Sequence, residues 1–420
     1  MRNLPDTAKI MKNGHLEVGG CDTVELAKEF GTPLYVLDEK TIRNRCQSYL
    51  KSFRKYYQNT DVIYACKALC TAAVQKLVTS EGLGLDVSSG GELFTALKAG
   101  CDVKKIYFHG NNKSKEEIKL ALEAGIGRIV VDNLHELERV EEMAERIGTD
   151  ADIMFRINPG IEAHTHEYIK TGTVDSKFGL PQDKIDAAVK KVREKKRINL
   201  VGFHAHIGSQ ILDIKPFVEE TKLLLDLTLK YKTEELNIGG GPGIAYLSSD
   251  EPPAIEDYAK AIGSVLKDKT QAKLVLEPGR SIVGTAGITL YTIGGIKDIP
   301  GIRKYVFIDG GMSDNPRPIL YQARYDARLA NKAQEPTSEK VTVAGRFCES
   351  GDILIRDINL PKVDAGDILA VLCTGAYNYS MASNYNRVGR PAMVLAGERN
   401  ATLILKRESY EDLIANDVIL

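Results

Sequence analysis

From about residue 60 the chain falls into a rhythm of short apolar runs, each closing on polar or glycine residues and followed by a stretch with helical spacing. Eight runs have this form: Asp61 to Ala65, Leu83 to Val87, Lys105 to Phe108, Arg128 to Val131, Asp152 to Ile157, Leu200 to His204, Glu235 to Ile238 and Lys273 to Leu276. They are rich in Val, Ile and Leu with little alternation, the pattern of parallel strands covered on both faces. Between them, Ser114 with Glu117 three residues on predicts a capped helix that stops at Gly125. Asn133 likewise opens a helix whose Leu134, Leu137 and Val140 to Met143 form an apolar stripe ending at Gly148. Eight βα units predict a (β/α)₈ barrel, with an open doubly wound sheet as the other architecture of this rhythm.

After about Ser281 the texture changes to glycine, proline and β-branched runs such as GITLYTIGGIKDI, KYVFIDGGM and EKVTVAG. Short alternating strands with turn signals predict an antiparallel β-domain, to which Leu16 to Val18 adds a strand. The expected division is a barrel over 34–285 and a β-domain made of 286–420 together with 1–33.

Composition narrows the function. Lysine and arginine number 56 against 57 acids, a formal charge of −1, so no global field attracts nucleic acid or an anionic membrane. Residues 1 to 11 carry a proline and an aspartate where a leader peptide needs an apolar stretch, and no run approaches about 18 apolar residues, so a cytoplasmic protein is expected. Seven cysteines without CxxC spacing predict reduced thiols, mostly core, rather than disulfides or a zinc ribbon.

A barrel builds its site at the C-terminal ends of its strands. There the runs end in Lys67, in Asp86 through Glu92, in His109, in His204 through Ser209, in Gly239 through Gly243, and in Glu277 through Arg280, while the fifth run carries Arg156. A lysine after DVIYAC is read either as an amine buried on apolar neighbours and activated toward an aldehyde, or as a strand-end lysine in solvent. Gly240, Gly241, Gly279 and Arg280 after the seventh and eighth strands suit a phosphate. His204 and His206 share a face and admit a metal, but the further ligands such a site needs are missing, so no metal is expected. The other use of the pair is an imidazole stacked on an aromatic cofactor, with Glu277 keeping a pyridine nitrogen protonated. Glu92 reads equally as a buttress or as a helix-opening acid. Cys66 reads as core, His164 and His166 as loop residues, and Tyr385 as lining a site or merely packing.

YACKA, DVSSGGEL, HAHIGSQ, GGGPG, EPGR, CESGD and GAYNYSMASNYN resemble the fold-type III pyridoxal-phosphate decarboxylases over nearly the whole chain, and among them the diaminopimelate decarboxylases through HAHIGSQ, Ser176 to Gly179 and Cys348 to Asp352. The resemblance implies pyridoxal 5′-phosphate held as a Schiff base on Lys67, with His206 on the ring and Glu277 on its nitrogen. It implies that Asp86 supports the cofactor and that Ser209, Gly240, Gly241, Gly279, Arg280 and Tyr377 surround its phosphate. Arg280, Arg317, Tyr321 and Tyr377 are then substrate contacts, and Glu349 holds the distal amino group. Cys348, with Lys67, becomes a candidate proton donor, and Cys348 and Glu349 enter the site of the other subunit of a homodimer. The implied reaction is decarboxylation of meso-2,6-diaminopimelate to L-lysine. Rivals are decarboxylases of ornithine, arginine or carboxynorspermidine; an alanine racemase, against which Glu277 counts; and a non-catalytic cofactor carrier, against which the residues after Ser281 count.

Overall fold

Runs that are apolar on both faces can be satisfied only by covering both, and the chain does this by closing them on themselves. The computed structural model describes residues 2–161 and 176–419; His164 and His166 lie outside the described residues. Strands β1 (Thr60–Ala65), β2 (Gly84–Val87), β3 (Ile106–Phe108), β4 (Arg128–Val131), β5 (Ala151–Arg156), β6 (Ile198–His204), β7 (Glu235–Asn237) and β8 (Lys273–Leu276) form a closed barrel. All neighbours are parallel, and β8 pairs with β1 through Leu276 and Val62. The helices between them start and stop where the residues say. Ser114 and Glu117 make a reciprocal capping box before Lys115–Ala124, and Gly125 and Gly148 end their helices in the left-handed region at φ 64° and 80°.

Inside the barrel, Ile63, Tyr107, Val130, Met154, Val201 and Val275 pack as one buried cluster. At the N-terminal ends of the strands, Glu235 accepts from the Tyr107 hydroxyl at 2.9 Å and from Arg128 Nη2 at 2.7 Å. These contacts lie at the end away from the rim where this fold builds its chemistry.

The chain divides into a barrel unit, Arg43–Gly243 with Glu251–Ser281, and a β unit, Met1–Ile42 with Ile244–Asp250 and Ile282–Leu420. The division departs from the expected boundaries at 34 and 285 for a physical reason. Leu34–Asp38 is a fully buried strand paired antiparallel with Gly287–Ile299 and parallel with Ala392–Gly397, so it belongs to the β unit's nine-stranded sheet. That sheet is mixed rather than purely antiparallel, since Arg303–Ile308 also pairs parallel with Glu339–Ala344. Leu16–Val18 lies instead in a separate three-stranded sheet. All seven cysteines are free, and no helix among the described residues is long and apolar enough to cross a membrane.

Candidate active site

The rim of the barrel is organised around one carboxylate. Glu277, 5 % exposed, follows β8. Asn237 donates to its Oε1 at 2.7 Å, His109 Nε2 lies 2.8 Å from the same oxygen, and His204 Nε2 lies 3.1 Å from Oε2. Burial works against the charge, but the two imidazoles outweigh it and hold the carboxyl well below its usual range. Burial also pushes His204 down to about 4, so at neutral pH it is an uncharged ring donating its Nε2 proton to Glu277. An ionised carboxylate offers about four acceptor positions; these three neighbours leave Oε2 able to take one more donor.

Around Glu277 stand Asp86, raised chiefly by burial, and Arg156, lowered chiefly by burial, with its guanidinium 4.2 Å from the Phe178 ring centroid. Phe178 belongs to the Ser176 to Gly179 stretch singled out from the sequence. Glu92 is pushed up to about 7 by burial, although Ser88 N–H donates to it at 2.7 Å. Lys67 acts electrostatically on Asp86, Glu92 and His206, which puts the sequence-predicted amine among the sequence-predicted acids. Its expected burial is corrected. The chain leaves β1 in a tight 3₁₀ turn, Cys66–Ala68, which tucks Cys66 and Ala68 into the wall and leaves Lys67 exposed. The amine is available because of where it stands, not because it is buried.

Two residues read from the sequence as phosphate neighbours, Ser209 and Arg280, are in contact. Arg280 Nη2 donates to Ser209 Oγ at 2.8 Å. Gly240 and Gly241 are required: a Cβ would come within 2.1 Å of the Glu277 carbonyl oxygen at the first, and 2.4 Å of the Gly208 oxygen at the second, where φ is +117°. Gly240 N–H donates to His206 Nδ1 at 3.3 Å, which fixes the plane of that ring. Burial, with the Lys67 charge behind it, keeps His206 well below its usual pKa and therefore neutral. His204 and His206, two residues apart, thus do different work.

The β unit holds the remaining predicted residues. Arg317 opens the short helix Arg317–Tyr321 and is 5 % exposed, with Nη1 donating to the Tyr325 hydroxyl at 2.6 Å. Its guanidinium lies 4.7 Å from the Tyr246 ring and 5.6 Å from the Tyr325 ring. No carboxylate pairs with it among the described residues, and its Nε has no hydrogen-bond partner there. Tyr321, half-buried, is one turn along the same helix. Tyr377 sits at φ +62°, a conformation a tyrosine adopts at a cost of roughly 1–3 kcal/mol and one typical of functional positions. Cys348 and Glu349 are exposed, and the Tyr385 hydroxyl donates to Glu349.

No sequence motif marks His109, His204 and Asn237 as the holders of Glu277. His109 was visible as a strand-end residue; Asn237 sat inside an ordinary strand. Glu220 carried no signal at all. It is wholly buried on the helix Lys215–Tyr231, lacks hydrogen-bond partners at both oxygens among the described residues and is raised well above its usual pKa by burial, then by Glu277.

His109, His204 and Glu277 bring their ligand atoms within 4.8 Å of one another. Two ligands on one tetrahedral ion with bonds of about 2.0 Å stand roughly 3.3 Å apart, so nitrogens at 2.8 and 3.1 Å from the carboxylate describe direct contact rather than shared coordination. A pyridinium bearing a phosphate fits better. Among the described residues, buried polar atoms without hydrogen-bond partners, His204 Nδ1 and Asp86 Oδ1, gather at this rim, and the anion, the fixed imidazole, the amine and the cradle match the ring nitrogen, ring face, aldehyde and phosphate of such a group.

The comparisons with known proteins agree. Residues 39–284 match the family model described as the pyridoxal-dependent decarboxylase, pyridoxal binding domain. Diaminopimelate decarboxylase of Synechocystis sp. is 49 % identical over 99 % of this chain and 93 % of its own length, and that of Bacillus subtilis is 47 % identical over 99 % and 98 %. The crystal structure of diaminopimelate decarboxylase from M. jannaschii, which is known also in co-complex with L-lysine, matches at a TM-score of 0.93 with 42 % identity over 99 % of this chain and 98 % of that one. The chain belongs to the diaminopimelate decarboxylase family of pyridoxal-dependent decarboxylases.

Proposed function

We propose that this enzyme decarboxylates meso-2,6-diaminopimelate to L-lysine, with pyridoxal 5′-phosphate carried on Lys67. The observation that carries the reading is Glu277, a buried carboxylate kept ionised by nitrogen donors with an acceptor position to spare. Bound there, the cofactor supplies an electron sink for the charge left when carbon dioxide departs. The protein's part is orientation and proton management. Glu277 accepts the ring N–H and keeps that proton in place, and the neutral His206, pinned by Gly240, presents a flat face. Ser209, Gly240, Gly241, Gly279 and Arg280 hold the phosphate, Tyr377 is assigned to it by the family resemblance, and Asp86 buttresses the cofactor.

The substrate's far end is an amino acid and needs a base and an acid together. Arg317 supplies a guanidinium without a carboxylate partner among the described residues and Glu349 a carboxylate; Tyr321 and Arg280 complete the substrate contacts. A proton returns to the α-carbon from Cys348 Sγ or Lys67 Nζ. Cys348 and Glu349 serve the site of the other subunit in a homodimer, a reading supported by their exposure in the single chain, and the enzyme works in the cytoplasm.

The test is carbon dioxide release by the purified holoenzyme from meso-diaminopimelate, L-ornithine, L-arginine, L-lysine and carboxynorspermidine. Release from diaminopimelate above all the others is expected, and Lys67→Ala abolishes it together with the borohydride-fixable cofactor. Preference for a substrate lacking the distal carboxylate overturns the assignment.

A further inference from the structure

The SNYN run has no part in the reaction as described, yet it is built against the residues that do. Tyr385 and Asn386 stand on a 3₁₀ turn, Tyr385–Arg387, in which Asn386 takes a left-handed φ of +53°. The Tyr385 hydroxyl donates to Glu349 Oε1. Asn386 Oδ1 accepts from Cys348 N–H at 3.4 Å. The Tyr385 ring lies 6.0 Å from that of Phe347, the residue just before Cys348, tilted by 32°. The turn is anchored from behind: Arg387 Nη2 pairs with Asp417 at 2.9 Å, and Asn384 donates to the Val388 carbonyl at 3.2 Å and to Glu408 at 2.5 Å. Burial does not explain this arrangement, because Tyr385 is 37 % exposed and Cys348 and Glu349 are exposed too.

We infer that Tyr385 is a positioning residue that holds the Glu349 carboxylate for the distal ammonium of the substrate, and so helps set specificity. The inference rests on the role given to Glu349 above. An exposed glutamate with three rotatable bonds samples many directions and gives up that freedom when it binds a cation. The phenol takes one lone pair of Oε1 and leaves Oε2 and the rest for an ammonium. The Glu349 contact raises the Tyr385 pKa, so the phenol stays a donor through neutral pH. Because the ammonium contact is made equally in the bound substrate and in the transition state, its loss falls on KM rather than on kcat.

Tyr385→Phe in the full-length holoenzyme keeps the ring against Phe347 and removes only the hydroxyl. KM for meso-diaminopimelate rises about five- to twentyfold, while kcat changes by less than about twofold; cofactor affinity and thermal midpoint stay at the wild-type values. In a Glu349→Gln background the same change shifts KM by less than about twofold, since the two act as a unit. An unchanged KM in Tyr385→Phe, equal effects in both backgrounds, or a parallel loss of cofactor binding or stability overturns the positioning role while leaving the assigned reaction standing. A wild-type enzyme that releases no carbon dioxide from diaminopimelate overturns the reaction itself and the inference with it.

Discussion

Glu277 in the barrel unit and Arg317 in the β unit are each 5 % exposed, and each carries a charge that burial opposes. The molecule answers them in opposite ways. The anion is surrounded by nitrogen donors, two imidazoles and an amide, which nearly saturate it. The cation rests on two tyrosine ring faces and one phenol oxygen, none of which neutralises it, and its Nε is left without a partner among the described residues. A carboxylate with one acceptor position remaining is prepared for a single N–H, as a ring nitrogen presents. A guanidinium held by π faces keeps its charge and part of its planar fork for a carboxylate. Under the proposed function the difference separates two jobs: the barrel unit would tune the cofactor's electronics, and the β unit would recognise what the reaction is performed on.

Glu277→Gln makes the sharpest cut in that division. It keeps the shape and most of the hydrogen bonds but removes the charge that keeps a ring nitrogen protonated, so kcat falls by about a hundredfold or more, while the cofactor remains bound through Lys67 and the phosphate cradle. Steady-state kinetics with a parallel cofactor titration check this. A rise in KM with kcat intact would place Glu277 on the recognition side and break the comparison. Arg317→Leu comes next. Removing one partner of a buried charge pair costs at least about 2 kcal/mol, roughly thirtyfold, and here the cost appears as a higher KM for diaminopimelate with little change in cofactor affinity. Equal loss of substrate and cofactor binding would mean that Arg317 supports the fold rather than the substrate.

How much of this is written in the sequence follows from how local each signal is. The eight barrel strands lie within about two residues of their apolar runs, and the caps at Ser114, Gly125 and Gly148 act where they stand, because burial on both faces and helix termination are decided by neighbours in the chain. Leu34–Asp38 reads as any buried strand; only its pairing with residues about 250 and 360 positions away assigns it to the β unit. The same limit applies to the site. The motifs mark Lys67, Glu277 and Arg280, since a glycine run or a strand-end lysine is a local feature. That Glu277 is held by His109 from one strand, His204 from another and Asn237 from a third is a product of closure. The exposure of Lys67 turned on a single 3₁₀ turn that apolar periodicity does not encode.

Asp314 in the β unit supplies the counter-example that sharpens the comparison. It is buried like Glu277, 2 % exposed, but its donors are the Tyr291 hydroxyl and the Gly311 N–H, with no imidazole among them. Burial therefore prevails, and Asp352 and Asp309 add to it, lifting the carboxyl to about 7. A group raised in the folded state contributes stability that is fully present below the unfolded value near 3.8 and is lost as pH rises through about 7. Asp314→Asn matches the neutral form in shape and does not titrate. The variant should unfold at about the wild-type temperature near pH 4 and several degrees above it at pH 8, at roughly 2–4 °C per kcal/mol, as measured by thermal scans across that range. Equal midpoints at both ends would mean that Asp314 is ionised like Glu277. Neighbouring donors would then decide less than the present comparison requires, and the direct contacts of His109 and His204 with Glu277 would no longer explain why that carboxylate stays charged.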